Sequence, residues 1–182
     1  MSSLSDPVLL RADGRVIYTL ASVVDDIDHG ITTILRGEDH VTNSAAQIQL
    51  FEALGVKPPD LGHMALLAGA EGEGLSKRLG SLSIGQLREE GFEPLAIAAL
   101  LARIGTSDPI EAFSTFDEII EQFSIEKFSR STAKFDPVEL SLINAKTLQL
   151  LTFNELRDRI SFEDVSEIDE EFWEAIKGNN LY

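Results

Sequence analysis

The chain has 182 residues, of which 43% are hydrophobic, so it is long enough for one packed domain and part of another. It contains no apolar run that could span a membrane and no secretion signal, and the absence of cysteine excludes disulfides and thiolate metal sites. The sequence therefore predicts a cytoplasmic protein with no membrane partner. A formal net charge of −16 repels nucleic acid at long range, so any contact with RNA requires a local basic patch.

The first part of the chain alternates short apolar runs with helical segments. Asp13-Gly14 between two β-prone runs predicts a hairpin, because both residues tolerate positive φ. The predicted elements are a hairpin over 8–18, helices over 20–28 and from a cap at Thr42 or Asn43 to Gly55, and strands over 31–35 and 63–67. In the second helix, the residues assigned to apolar faces are Ala46, Ile48, Leu50, Phe51 and Leu54. This order is typical of an open α/β sheet, where ligands bind beyond the carboxyl ends of the strands.

The second part of the chain is predicted to be mainly α-helical. Ser83 and Asp136 are predicted helix caps, and Pro94 stands where a first-turn proline is favoured. Gly30, Gly55 and Gly91 are predicted to end helices. The predicted helices cover 83–90, 95–104, 116–122, 125–128, 137–146, 153–160 and 170–176, and Ser107-Asp108-Pro109 is the predicted linker. The fold class is therefore an α/β N-terminal part followed by a mainly α-helical part.

Two segments carry residues suited to ligand binding. One segment, Gly74-Leu75-Ser76-Lys77-Arg78-Leu79-Gly80, has two adjacent cations on a glycine-rich loop. Such a loop either binds a polyphosphate or is a charged surface turn. Arg36-Gly37-Glu38-Asp39-His40 follows an apolar strand, and is either a ligand site or a polar turn with internal salt bridges. The spacing of three carboxylates, Asp25, Asp26 and Asp28, does not predict a metal site. The three histidines, His29, His40 and His63, lack the spacing of zinc ligands. We expect no protein-bound metal.

One modest basic patch lies in the helical part. Lys127, Arg130 and Lys134 alternate with Ser129, Ser131 and Thr132. Such a pattern is typical of a solvated surface or of an RNA contact, and the spacing alone does not decide between them.

Four segments, in this order, resemble bacterial glutamyl-tRNA synthetases, which are class I aminoacyl-tRNA synthetases. They are 18–26 (Tyr-Thr-Leu-Ala-Ser-Val-Val-Asp-Asp), Arg36-Gly37-Glu38-Asp39-His40, Leu75-Ser76-Lys77-Arg78 and Phe135-Asp136. The resemblance implies the second half of a Rossmann-type catalytic domain over 1–91. It also implies a helical stem-contact region over 92–146 and the start of an anticodon-binding region over 147–182.

The family's reaction joins glutamate and ATP into glutamyl-adenylate and passes the glutamyl group to a glutamate-accepting tRNA. The resemblance implies that Lys77 stabilises the triphosphate, supported by Ser76 and Arg78, with Mg²⁺ carried by the nucleotide. Gly74 replaces the first lysine of the family's Lys-Met-Ser-Lys-Ser signature, and Ser22 stands where many relatives carry Asn. The implied glutamate contacts are Tyr18, Ser22 and Arg36, the implied ATP contacts are Glu38, Asp39, His40, Leu66, Leu67, Leu75 and Lys77, and Lys127, Arg130 and Lys134 are the implied tRNA contacts.

The family's first signature, His-x-Gly-His, does not occur in this sequence. The chain is therefore expected to be either part of a glutamate–tRNA ligase or a non-catalytic module that binds tRNA or ATP. A glutamyl-queuosine-tRNA synthetase fits poorly, because the chain continues past Phe135-Asp136 into further helices. The parent enzyme is expected to be monomeric, and the half-sheet predicts self-association of this chain.

We expect the 182-residue chain alone not to exchange pyrophosphate into ATP. The resemblance implies that a share of the glutamate and ATP contacts belongs to the half of the catalytic domain that carries the first signature, which is absent from this sequence. The measurement is radiolabelled pyrophosphate exchange with glutamate and tRNA present. Exchange above background that disappears in Lys77→Ala would contradict this expectation.

Overall fold

A pair of parallel strands joined by a helix organises the N-terminal part of the chain. The computed structural model describes residues 6–69, 72, 74, 83–159 and 169–179, and divides into two compact units, Met1–Leu66 and Leu67–Tyr182. In the first unit, β1 (Thr33–Gly37) pairs in parallel with β2 (Asp60–Met64). The connection runs through a 3₁₀ turn (Glu38–His40) and α2 (Val41–Ala53), and α1 (Tyr18–Asp28) packs against α2. The predicted strand–helix–strand order is confirmed.

The predicted hairpin is confirmed as a tight turn with one antiparallel bridge, Leu10↔Val16. Gly14 has φ +82°, a backbone conformation that residues with a side chain rarely adopt. The N–H of Gly14 donates to the carbonyl oxygen of Arg11 at 2.9 Å. The backbone N–H of Arg15 donates to Asp13 Oδ1 at 3.1 Å, so the Asp side chain helps to close the turn.

The predicted start of α2 is wrong. The N-cap is His40, with no side-chain capping bond, and Thr42 and Asn43 lie inside the first turn. The helix begins earlier because the 3₁₀ turn before it already holds the backbone in a helical conformation and runs directly into α2. The predicted helix ends are confirmed, since Gly30, Gly55 and Gly91 have positive φ just beyond α1, α2 and α3 (Ile84–Glu89).

The single strand predicted over 63–67 is two strands. β2 begins earlier, at Asp60, directly after two prolines that cannot donate to a ladder, and Asp60 N–H donates to the carbonyl oxygen of Thr32 at 2.9 Å. β3 (Leu67–Gly69) belongs to the second unit, where it pairs in parallel with β4 (Ala133–Phe135).

The second unit is mainly helical, as predicted, and its helices enclose two apolar clusters. Its further helices are α4 (Pro94–Arg103), α5 (Phe116–Gln122), α6 (Pro137–Leu150), α7 (Phe153–Arg159) and α8 (Glu170–Ile176). One cluster contains Leu87, Leu100, Ile104, Phe135 and Leu140, and the other contains Ala96, Ala99, Phe113, Ile119 and Ile143. The helix predicted over 125–128 is a 3₁₀ turn, Ile125–Lys127.

Local capping signals in the second unit are confirmed. Ser83 Oγ accepts from the N–H of Gln86 at 3.1 Å, and Asp136 Oδ1 accepts from the N–H of Val138 at 2.9 Å. Pro94 lies in the first turn of α4. Among the described residues, no helix combines the length and the apolar character needed to cross a bilayer.

The segment predicted as a linker, Ser107-Asp108-Pro109, is tied down by ion pairs. Arg103, only 6% exposed, donates from Nη1 to Asp108 Oδ2 at 2.7 Å and from Nη2 to Gln122 Oε1. Its guanidinium carbon lies 5.4 Å from the centroid of the Phe113 ring. Lys127 Nζ donates to the same Asp108 oxygen at 2.7 Å. The linker prediction is wrong because the segment lies inside the second compact unit, where Arg103 of α4 and Lys127 of the 3₁₀ turn hold Asp108.

Asp108 should make stability depend on pH. Its hydrogen bond to the Lys127 ammonium, reinforced by the charges of Lys127 and Arg103, holds the pKa of the Asp108 carboxyl below its ordinary value of 3.8. Folding lowers this pKa, so the unfolded chain takes up the proton more readily. The stabilisation is therefore present at neutral pH and is lost as the pH falls through the lowered pKa.

We expect Asp108→Asn to lower the urea-unfolding midpoint at pH 7. The difference in midpoint between this variant and the wild type should shrink once the pH falls below about 4. The matched control is Glu126→Gln, because Glu126 is exposed, adjoins Lys127 and forms no ion pair with another described residue. A difference between Asp108→Asn and the wild type that does not change with pH would show that the Asp108 charge is not the source of the stabilisation.

Candidate functional site

Arg36 lies at the carboxyl end of β1, where the sequence predicts ligand contacts. Its neighbour across the ladder is His63 on β2. The Arg36 side chain is half-buried and donates from Nη2 to Ser44 Oγ on α2. Its Nε is buried without a hydrogen-bond partner among the described residues. A buried N–H of a charged guanidinium is costly to leave unpaired, so the hydrogen-bonding capacity of Arg36 is not fully used by the described residues.

Ser44 anchors Arg36 through a small polar network. Ser44 is 4% exposed, and its Oγ lies 2.6 Å from His63 Nε2 and 3.0 Å from the carbonyl oxygen of His40. A hydroxyl has one hydrogen, so when Ser44 donates to His40, His63 Nε2 must be the donor toward Ser44. The two histidines, unsuited to a zinc site by sequence, thus help to hold the arginine.

A second polar pair links α1 to α2 beside this network. Gln47 is 3% exposed and donates from Nε2 to Ser22 Oγ at 2.7 Å. The Oε1 atom of Gln47 is buried and has no partner among the described residues. Tyr18 lies four residues before Ser22 and therefore on the same face of α1. Tyr18 is 57% exposed, and its ring stands edge-on to the His40 ring, with centroids 6.1 Å apart.

The acidic residues of the 3₁₀ turn face solvent. Glu38 and Asp39 are exposed, and Asp39 Oδ2 lies 3.9 Å from His40 Nε2. Asn43 Nδ2 lies 3.3 Å from His40 Nδ1, which fixes the imidazole from the other side. Gly37 permits a close approach here, because a Cβ at this position would lie 2.8 Å from Leu66 Cδ2 and would overlap Asp39 Oδ1.

Together these groups form an arrangement suited to a carboxylate-bearing ligand. A fixed guanidinium offers an unpaired N–H, a held hydroxyl offers a hydrogen, and a phenol stands at the exposed edge. Charge-assisted hydrogen bonds from a guanidinium to a carboxylate are among the stronger polar contacts in proteins. Among the described residues, no group of three or more His, Asp or Glu side chains could hold a metal ion.

The other predicted site residues fall in three places. Leu66, 45% exposed, is in the first unit and Leu67, half-buried, begins β3 in the second. Leu75, Ser76, Lys77 and Arg78 lie outside the described residues. Lys127 is ion-paired with Asp108, whereas Arg130 and Lys134 are exposed and form no ion pair within the described ranges.

Sequence reasoning missed the polar face of α2. Its buried residues are Ser44, Gln47 and Phe51, whereas Leu54, assigned to an apolar face, is 51% exposed. Residues 44, 47 and 51 follow helical spacing, so two polar residues in one buried stripe were the available signal. A buried polar residue at a core position calls for a partner on another element, and here both partners belong to the candidate site.

Comparisons with known proteins show the family to which this chain belongs. The family model described as tRNA synthetases class I (E and Q), catalytic domain, matches residues 1–142. Glutamate–tRNA ligase 2 of Hyphomonas neptunium is 51% identical over 178 residues, which are 98% of this chain and 40% of that protein. Glutamate–tRNA ligase 1 of Maricaulis maris is 54% identical over 179 residues, with the same coverage of each chain.

A solved structure supports the same assignment. The glutamate tRNA ligase of Elizabethkingia meningosepticum, in complex with its amino acid, superposes with a TM-score of 0.76 at 28% identity. The match covers 95% of this chain and 39% of that one. The chain therefore spans about 40% of the length of the curated relatives it matches. It has the mixed α/β fold of this class, and it belongs to the class I tRNA synthetases (E and Q), within their catalytic domain over residues 1–142.

Proposed function

We propose that this chain is part of a glutamate–tRNA ligase that activates glutamate with ATP and transfers it to a glutamate-accepting tRNA. The observation that carries the proposal is the guanidinium of Arg36, held at a strand end by Ser44 with a buried, unpaired Nε–H. The relatives named as glutamate–tRNA ligases, about half identical over nearly the whole chain, support the same reading.

Glutamate binding falls to Arg36, Ser22 and Tyr18. Arg36 binds a substrate carboxylate through its guanidinium, and Ser22 donates its hydroxyl hydrogen to a substrate oxygen. Tyr18, at the exposed edge, contributes its phenol. These contacts fix the orientation of the amino acid. Positioning the reactants in this way is a main contribution of the protein to the rate of adenylate formation.

ATP binds beside this site, along Glu38, Asp39, His40, Leu66, Leu67 and Leu75. A substrate carboxylate oxygen attacks the α-phosphorus, the bond to the bridging oxygen breaks, and pyrophosphate leaves. Lys77 neutralises charge on the leaving group, with Ser76 and Arg78 supporting its loop, and Mg²⁺ arrives on the nucleotide. A hydroxyl at the tRNA 3′ end then attacks the adenylate carbonyl, and AMP leaves.

Contact with tRNA falls to the basic patch of the second unit. Arg130 and Lys134 are the exposed, unpaired cations there among the described residues, and Lys127 reaches phosphate by exchanging its partner Asp108. In domain terms, we propose the catalytic half over 1–91, the stem-contact region over 92–146 and the start of the anticodon-binding region over 147–182.

The glutamate site can be tested on the 182-residue chain. We expect Arg36→Lys to weaken L-glutamate binding about tenfold or more, because lysine keeps the charge but not the planar fork of N–H donors. Isothermal titration or NMR titration gives the dissociation constants. Arg11→Lys, in the exposed turn of the same unit, is the matched control and should bind as the wild type does. Equal affinity in Arg36→Lys, or no binding by the wild type, would refute the site.

We further propose that the isolated chain self-associates through its first unit. Within the described residues, β1 and β2 form a two-stranded sheet, and Leu35 in β1 is 53% exposed. Unpaired strand edges beside exposed apolar side chains favour association.

We expect light scattering to give a mass above that of the monomer at high protein concentration, and Leu35→Lys to shift it toward the monomer. Leu54→Lys is the matched control, because Leu54 is 51% exposed but lies beyond the end of α2 and outside the sheet. A strictly monomeric wild type would contradict the proposal.

A further inference from the structure

The inner face of α2 carries two buried polar side chains, and each contacts one of the proposed glutamate ligands. Ser44 accepts from Arg36 on β1, and Gln47 donates to Ser22 on α1. We propose that Ser44 and Gln47 are positioning residues, which orient the Arg36 guanidinium and the Ser22 hydroxyl to receive a carboxylate-bearing amino acid. The identity of the ligand rests on the proposed function, whereas the positioning itself does not.

The burial of Gln47 is poorly explained by folding alone. Its side chain is 3% exposed on the same face as Phe51, yet its Oε1 has no partner among the described residues. A buried acceptor without a partner costs free energy that an apolar side chain of similar size would not cost. Among the described residues, the Gln47 side chain hydrogen-bonds to Ser22, so its orienting effect on Ser22 accounts for a polar residue at this position.

The direction of that hydrogen bond matters. The Gln47 amide N–H can only donate, so Ser22 Oγ is the acceptor and keeps its own hydrogen for another partner. Within the described residues, the Ser22 hydroxyl donates no recorded hydrogen bond. Gln47 therefore holds Ser22 as a donor, which is the role a substrate carboxylate or carbonyl oxygen requires.

Ser44 acts in the same way on Arg36. Its Oγ is fixed by His63 Nε2 at 2.6 Å and by the carbonyl oxygen of His40 at 3.0 Å. An oxygen held from both sides binds one terminal nitrogen of the guanidinium, and the Nε–H keeps a fixed direction. Ser44 and Gln47 are three residues apart on α2, so one rigid helix sets both substrate-facing groups.

The first experiment needs no ligand. Gln47→Leu removes the donor to Ser22, and Gln49→Leu is the matched control, because Gln49 lies two residues away on the same helix and is exposed. We expect three-bond couplings of Ser22 to show one side-chain rotamer in the wild type and in Gln49→Leu. In Gln47→Leu we expect a mixture of rotamers, with the thermal midpoint unchanged or raised.

Ser44 gives an independent test with a conservative rescue. We expect Ser44→Ala to accelerate exchange of the Arg36 Nε–H with water about fivefold to tenfold, the effect of losing one hydrogen bond. Ser44→Thr keeps the hydroxyl and should restore the slow exchange. A purely structural role for Ser44 predicts no such difference at Arg36 between the two variants once both are shown to be folded.

The second experiment adds L-glutamate to the same 182-residue variants. We expect Gln47→Leu and Ser44→Ala each to weaken binding about fivefold to tenfold, with Gln49→Leu and Ser44→Thr close to the wild type. Unchanged Ser22 rotamers and Arg36 exchange in Gln47→Leu and Ser44→Ala would overturn the inference. If these variants disorder Ser22 and Arg36 but the wild type does not bind glutamate, the proposed glutamate site is wrong and the positioning role stands.

Discussion

The parallel register between β1 and β2 is the constraint on which the candidate site depends. It sets Arg36 beside His63 at the carboxyl end of the strand pair. A parallel pair needs a crossover, and here the crossover is α2, whose inner face therefore passes over the same two residues. A shift of one residue in this register would move Arg36 to the opposite face of the sheet and separate it from Ser44. The polar network is thus a product of the topology.

Signals confined to a few neighbouring residues predicted much of the fold. Ser83, Asp136 and Pro94 each begin a helix where expected, because capping and proline geometry depend on the adjacent backbone alone. The prediction failed where distant residues decide the outcome. Asp108 was predicted to lie in a linker, yet the cations that pair with it come from the end of α4 and from the 3₁₀ turn before β4.

The candidate site shows the same division. Arg36 was predicted from its place after an apolar strand, and the structure puts it at the strand's carboxyl end. Ser22 and Tyr18 came from resemblance to a family, since nothing in their local sequence indicates binding. Gln47 was not predicted, because its role requires knowing that α1 lies against α2. The roles of Ser76, Lys77 and Arg78 stay predictions.

The carboxylate of Asp108, shared between Arg103 and Lys127, also affects how this acidic chain could bind a nucleic acid. Of three cations in the basic patch, Lys127 already has its charge compensated within the protein. A phosphate that displaces Asp108 exchanges one ion pair for another, so this contact adds little net neutralisation of the nucleic-acid charge. The release of counterions condensed on the nucleic acid would then come mainly from contacts with Arg130 and Lys134, while Asp108, still held by Arg103, would repel the incoming backbone. Such a surface favours weak, easily reversed contact that depends on shape.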